Sequence, residues 1–225
     1  MNSVSIGVIY YDMGNVHSVC KALERVGAQV SVVRPSDIHC YDGLVLLGVG
    51  AFDSAMQKIR EYGFEEQIKA AIANRQPLLG ICLGLQILFD HKDDCKEPGL
   101  GIIPGIVQRF TSKPGLTIPH LGWNQLQLSR DIILWRNISP NPWVYFAHSY
   151  YVVPTDPNWI AATVTHGSQV VTAAISQGTL MGTQFHPEKS SQAGLQILAN
   201  FVQFVSNHKL NKAEFDVNLR IGQYI

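Results

Sequence analysis

This 225-residue chain has no charge surplus of either sign, no closely spaced cysteines and no long apolar run. Its 17 Lys and Arg are matched by 17 Asp and Glu, for a formal net charge of zero. That removes the clustered basic surplus a nucleic-acid backbone would require. The four cysteines, Cys20, Cys40, Cys82 and Cys95, are never closer than 13 residues. With no C-x-x-C pair, neither a metal site nor a disulfide framework is expected. No stretch approaches the roughly 18 consecutive apolar residues of a membrane span, so no membrane partner is expected. Met1-Asn2-Ser3-Val4-Ser5-Ile6 runs into a strand-like segment without a basic region, so a cytoplasmic location is expected. What the chain does have is apolar residues, 46% against 15% charged, enough to bury the core of one domain.

The first half alternates Val/Ile/Leu-rich runs with helix-period segments, which predicts an α/β fold around a mostly parallel sheet flanked by helices. Val4 to Tyr10 reads as a strand. Asn15 is placed to cap a helix whose inner face carries Val16, Val19, Leu23 and Val26. Strands are predicted at Gln29 to Val33, Gly43 to Leu47 and Leu78 to Ile81. Two helices are predicted between the last two strands, around Ser54 to Glu61 and Phe64 to Ala73, and a helix is predicted for Leu83 to Phe89. After Pro98 come shorter pieces that read as added antiparallel strands: Ile106 to Phe110, Gln125 to Leu128, Val144 to Ala147, Ile160 to Thr165, Val170 to Ser176 and Leu180 to Gln184. A closing helix is expected from Gln192 to Val205. The domain is taken as 1–206, with 207–225 a polar tail of no assigned role.

Gly80-Ile81-Cys82-Leu83-Gly84 has the G-x-nucleophile-x-G form of a sharp strand-to-helix turn. Glycines on both sides leave room for the turn. The residue at its tip is exposed beside free backbone N–H groups, which favour a thiolate and can receive an oxyanion. His186-Pro187-Glu188 follows a strand-like segment and offers a base with a carboxylate two residues away to orient it.

With these motifs the chain resembles the class I, triad-type glutamine amidotransferases, whose pattern of G-x-C-x-G-x-Q and a late His-Pro-Glu occurs here at Gly80 to Gln86 and His186 to Glu188. Within that family it resembles the glutaminase subunits of imidazole glycerol phosphate synthases of histidine biosynthesis. The agreement lies in Met13-Gly14-Asn15, Gly48-Val49-Gly50-Ala51-Phe52, Gly99 to Gly105, Pro119 to Asn124, His148-Ser149-Tyr150 and Gly182 to Ser190. The resemblance implies Cys82 as nucleophile, His186 as general base and then acid, and Glu188 as its orienter. It implies glutamine contacts at Val49, Gly50, Leu83, Gln86, His148, Ser149 and Tyr150, with the loop at Val49 and Gly50 supplying a second oxyanion donor alongside Leu83. It also implies a (β/α)8-barrel synthase subunit as heterodimer partner, meeting Asn15, Trp123, Asn124, Tyr145 and Lys189 and receiving the ammonia. No cofactor is expected.

Two positions depart from the family pattern. Leu47 stands where proline usually opens the Gly48-Val49-Gly50 loop, and Asp12 stands where glycine is common. Three other readings remain open at this point: a related glutaminase feeding another barrel partner, such as one aminating a nucleotide sugar; a catalytically silent partner-binding subunit; and a cysteine peptidase.

Overall fold

A computed structural model describes residues 3–113 and 115–222, with side chains as far as 211. Strand β1 (Ser5–Ile9) leads to helix α1 (Val16–Arg25), capped by the Asn15 side chain, which accepts from the Ser18 N–H at 3.2 Å. The cap satisfies a donor that no intrahelical carbonyl can reach. Strands β2 (Gln29–Val33) and β3 (Gly43–Gly48) precede helices α2 (Phe52–Glu61) and α3 (Phe64–Ala73). In α2 the buried Phe52, Ala55, Met56 and Ile59 fall on one helical stripe. Strand β4 (Leu78–Cys82) turns directly into α4 (Leu83–Gln86). There follow β5 (Phe89–Lys92), β6 (Ile103–Arg109), β7 (His120–Leu128), β8 (Trp143–His148), β9 (Tyr150–Pro154), β10 (Ile160–His166), β11 (Gln169–Gln177) and β12 (Leu180–Thr183). Helix α5 (Ser191–Gly222) closes the described chain.

Nine strands form one sheet in the order β2-β1-β3-β4-β12-β11-β10-β7-β8. Its neighbours are parallel from β2 to β12 and antiparallel beyond. Every residue of β3 and β4 is buried, as befits central strands covered on both faces. One core layer packs α1 and α5 residues such as Leu23, Ile197 and Phe201 under the sheet. The other packs Phe52, Ile59, Phe64 and Ile68 of α2 and α3 against the opposite face. A smaller sheet, β5-β6-β9, flanks the second layer. The registers Gly48↔Cys82 and Thr183↔Ile81 align the carboxyl ends of β3, β4 and β12. Ligands of open α/β sheets gather at that edge.

The mixed α/β architecture matches the expectation, and four local readings change. The helix predicted to reach Phe89 stops at Gln86, because the next carbonyls are taken by distant donors. Ile87 O accepts from Leu100 N, Leu88 O from Ile102 N and Ile103 N, and Phe89 O from Gly101 N. The chain therefore extends into β5, which periodicity did not foretell. Strand β9 was also unforeseen; it pairs with β6 from Gly105↔Pro154 to Arg109↔Tyr150. Finally, α5 does not end near Val205 but runs unbroken past residue 206 to Gly222. The last three residues of the expected tail lie outside the described residues.

Candidate active site

Cys82 lies at the junction of β4 and α4 with φ 53° and ψ −109°, a backbone conformation that L-residues seldom adopt. The flanking glycines make the turn possible. A Cβ on Gly84 would run into the Leu46 carbonyl of β3, and one on Gly80 would come within 3.0 Å of Leu85 backbone atoms. Because α4 is a single turn, the thiol faces a few free N–H groups rather than the field of a long helix.

His186 follows β12 and is fixed through its backbone. Its N–H donates to Tyr145 O at 2.9 Å, and its carbonyl accepts from Ser190 Oγ at 2.6 Å. Its Nδ1 meets Glu188 Oε1 at 2.8 Å, with both side chains almost fully buried. With Nδ1 engaged by Glu188, Nε2 is the nitrogen left to interact with Cys82, whose side chain is near enough to act on the ring. Burial alone would depress the imidazolium. The hydrogen bonds and negative charges of Cys82 and Glu188 outweigh it and hold the ring up to about 10. The arrangement allows a thiolate–imidazolium pair with a carboxylate behind it.

A cavity of about 430 Å³ opens in front of Cys82, within the range of small-molecule sites. All seven residues proposed from the sequence as glutamine contacts line it: Val49, Gly50, Leu83, Gln86, His148, Ser149 and Tyr150. Gln86 Nε2 donates to Tyr150 O and to Gln184 Oε1, both at 3.1 Å, and Gln184 Nε2 points at Cys82 Sγ from 3.7 Å. Gln184 was not singled out in the sequence; its position two residues before His186 is the signal that could have found it. The cavity also receives Phe52, Asp53, Lys92 and Cys95. Cys95, which had no visible neighbour of interest in sequence, lies 3.2 Å from Lys92 Nζ.

Behind the cavity a hydrogen-bonded row of side chains sets its own tautomers. Tyr150 O can only accept, so His148 Nδ1, 2.8 Å away, carries the proton. His148 Nε2 then accepts from His120 Nδ1 at 3.0 Å, and His120 Nε2 from Asn124 Nδ2 at 3.2 Å. Burial pushes His148 down to about 3 and His120 down to about 4, with His166 adding to both shifts. Both imidazoles stay neutral at physiological pH.

Of the residues assigned to a partner face, Trp123 is about half exposed and its ring meets Tyr145 edge-on. Lys189 Nζ lies 5.9 Å from the Tyr145 ring centroid. Leu121 and Trp143 share that face through the register Leu121↔Ala147, Trp123↔Tyr145 and Gln125↔Trp143, and both are exposed. Asn15 caps α1, and the Asn124 amide turns back to His120 and Thr165 O. Of the departures, Leu47 is buried in β3 against Gly14. Asp12 has φ 62°, the region glycine favours and aspartate tolerates, and its carboxylate receives Tyr62 Oη.

Among solved structures the fold is similar to PurLQS of Thermotoga maritima, with TM-score 0.67 and 19% identity over 91% of this chain and all of that one. It is also similar to the Trypanosoma brucei CTPS glutaminase domain with bound acivicin, with TM-score 0.60 and 15% identity over 89% and 94% of the two chains. In sequence, an imidazole glycerol phosphate synthase subunit HisH from Synechococcus is 58% identical over 92% of this chain and 96% of its own. The Microcystis aeruginosa subunit of the same name is 60% identical over 89% and 95%. The class-I glutamine amidotransferase family model matches residues 8–204, and with the elbow, the His186–Glu188 pair and the shared cavity already in place, the chain belongs to that family.

Proposed function

We propose that this protein is the glutaminase subunit of an imidazole glycerol phosphate synthase, acting in the cytoplasm as a heterodimer with a (β/α)8-barrel subunit. The observation that carries the proposal is the meeting of Cys82, which lines the cavity together with Gln86 and the His148–Tyr150 segment, with the buried His186–Glu188 pair behind it. This stands in a chain 58% identical to HisH subunits over nearly its whole length. Residues 1–206 are assigned to the glutaminase domain and 207–225 to an appendage, in keeping with a family match that ends at 204.

In the proposed reaction the Cys82 thiolate attacks Cδ of the glutamine side chain. The oxygen takes up negative charge opposite the backbone N–H groups of Leu83 and Val49. His186 gives its proton to the departing nitrogen, and ammonia leaves a γ-glutamyl thioester on Cys82. Water then adds at the thioester while His186 takes its proton, the C–S bond breaks, and glutamate departs with thiolate and imidazolium restored. The balance is glutamine plus water to glutamate plus ammonia. Glu188 holds Nδ1–H throughout, fixing the ring with Nε2 toward sulfur.

The partner is assigned to the exposed apolar face of β7 and β8. Leu121 belongs to that face and also to the cavity wall, so a subunit docked there covers the mouth and receives ammonia before it reaches water. No helix among the described residues is long and apolar enough to cross a membrane.

The test is glutamate release by the chain alone, with the barrel subunit, and with the barrel subunit plus the histidine-pathway ribonucleotide. Stimulation only by partner and ribonucleotide together is the expected result. Turnover indifferent to the ribonucleotide would move the ammonia to another acceptor, and no turnover in any combination would leave a silent binding subunit.

A further inference from the structure

The cavity contains one buried cation that the hydrolysis does not use. Lys92 ends β5 and is 9% exposed, and its side chain lines the cavity together with Cys82 and Gln86. Its ammonium lies 3.4 Å from the Tyr150 ring centroid, 5.9 Å from the Phe52 ring centroid and 3.2 Å from Cys95 Sγ. No carboxylate among the described residues is within ion-pair distance of it. Asp53, the one acid in the cavity wall, directs its oxygens to the backbone N–H groups of Lys96 and Glu97 at 3.1–3.3 Å and to the Cys95 thiol, and its charge acts on Lys92 only from beyond ion-pair distance. An aromatic face, a thiol and a carboxylate already engaged elsewhere are weak company for a desolvated ammonium, which ordinarily requires a directly paired anion.

Glutamine brings both ends of the required complementarity. Its carboxamide must sit at Cys82 beside Gln86 and Gln184, which leaves its α-carboxylate to be received elsewhere in the same cavity. Lys92 is the one Lys or Arg side chain in the wall, and His148, the one histidine there, is held neutral. We propose that Lys92 anchors the α-carboxylate of glutamine and so selects a free amino acid over neutral γ-amides. The inference rests on the glutaminase reading, which it extends to substrate specificity. Its ion pair forms only when substrate enters, with the Tyr150 ring as the resting support for the ammonium.

The experiment compares L-glutamine with L-glutaminamide, in which the α-carboxylate is replaced by a neutral amide, using the complex with the barrel subunit and ribonucleotide. Wild type should favour glutamine through KM. Lys92→Met should raise KM for glutamine about tenfold to hundredfold, the loss of a charged hydrogen bond, while changing KM for glutaminamide by less than about twofold. Lys92→Arg should restore most of the difference. Equal effects of Lys92→Met on both substrates, or an unchanged KM for glutamine, would overturn the anchor. Should Lys92→Met fail to fold by circular dichroism, the wild-type comparison decides alone, since similar KM values for the two substrates also overturn it. A complex that hydrolyses neither substrate would refute the glutaminase reading itself, an outcome distinct from loss of discrimination.

Discussion

Gly48 closes β3 beneath the cavity mouth, and its lack of a side chain makes room for one oxygen atom. A methyl carbon built there would overlap the hydroxyl oxygen of Tyr11; the next nearest atoms are Leu83 Cβ at 3.2 Å and Gly84 N at 3.4 Å. Tyr11 is fully buried, so its ring has no free space into which to swing. Gly48→Ala should therefore cost about 1–3 kcal/mol through overpacking, lowering the unfolding midpoint by roughly 2–12 °C in a chain of this size. The Tyr11 hydroxyl has no hydrogen-bond partner among the described residues, and burial with the nearby Cys82 charge pushes its ionisation far up. Tyr11→Phe alone should accordingly be neutral or stabilising by about 1 kcal/mol, since an unpaired buried hydroxyl is removed. In the double variant the closest remaining contacts are the 3.2 and 3.4 Å ones, tight but tolerable, and most of the loss should return. The coupling expected between the two sites is about 1–2 kcal/mol. Thermal unfolding of the four proteins, followed by calorimetry and circular dichroism, reads it directly. Strict additivity, with Gly48→Ala equally damaging beside Phe and beside Tyr, would refute the steric argument and place the requirement for glycine in the backbone instead.

Cys82→Ser should abolish glutamate release with the midpoint nearly unchanged, and retained turnover would remove Cys82 from the nucleophile role. Glu188→Gln should slow turnover less than His186→Ala, because orientation is weakened while the base survives; steady-state rates losing equal factors would contradict that division. His148 and His120 are held below the ordinary histidine value of about 6.5, at about 3 and about 4, so between those values and 6.5 the unfolded chain binds protons that the folded chain refuses. Stability should fall as pH drops through that window. His120→Asn should flatten the slope of unfolding free energy against pH, and an unchanged slope would count against the neutral pair. Asn200 Nδ2 donates to Leu134 O at 2.9 Å and Arg136 O at 2.7 Å, so Asn200→Ala should cost about 1–3 kcal/mol in urea unfolding by stranding those carbonyls. Trp123→Ala, on the exposed face beside Tyr145, should weaken binding of the proposed synthase partner measured by calorimetric titration while leaving the midpoint within about 1 °C; unchanged affinity would move the partner to another face.

How much of this was legible in the sequence varied along the chain. The parallel half was readable because buried strands and amphipathic helices impose periods that local inspection detects, as in Phe52, Ala55, Met56 and Ile59. The elbow and the His186–Glu188 pair were readable because each is a local motif, although their meeting depends on strands 102 residues apart, as Gln184 and Cys82 record. What could not be read was set by remote partners. Leu83 to Phe89 has helical composition, yet the carbonyls of Ile87, Leu88 and Phe89 are claimed by the 100–103 segment, and tertiary hydrogen bonds overrode propensity. Lys92 was invisible for the same reason: among charged neighbours it reads as a solvated lysine, and only the β5–β6–β9 sheet brings it against Tyr150. Likewise Asn124 sits beside Trp123 in sequence but points to the opposite face, because successive strand residues alternate.

The dihedral angles at Cys82 also bear on how such a chain changes over generations. Glycine is the residue most at ease at φ 53°, ψ −109°, so a cysteine there is kept against a local energetic gradient. In a lineage no longer selected for ammonia release, substitutions at 82 that relax the turn would be favoured by stability and unopposed by function. The thiol would then be among the first features of the reaction to disappear, well before the glycines around it, which the packing of β3 against α4 holds in place. A cysteine at residue 82 is therefore a record of continued use, and among diverging copies of the chain its identity separates working subunits from retired ones.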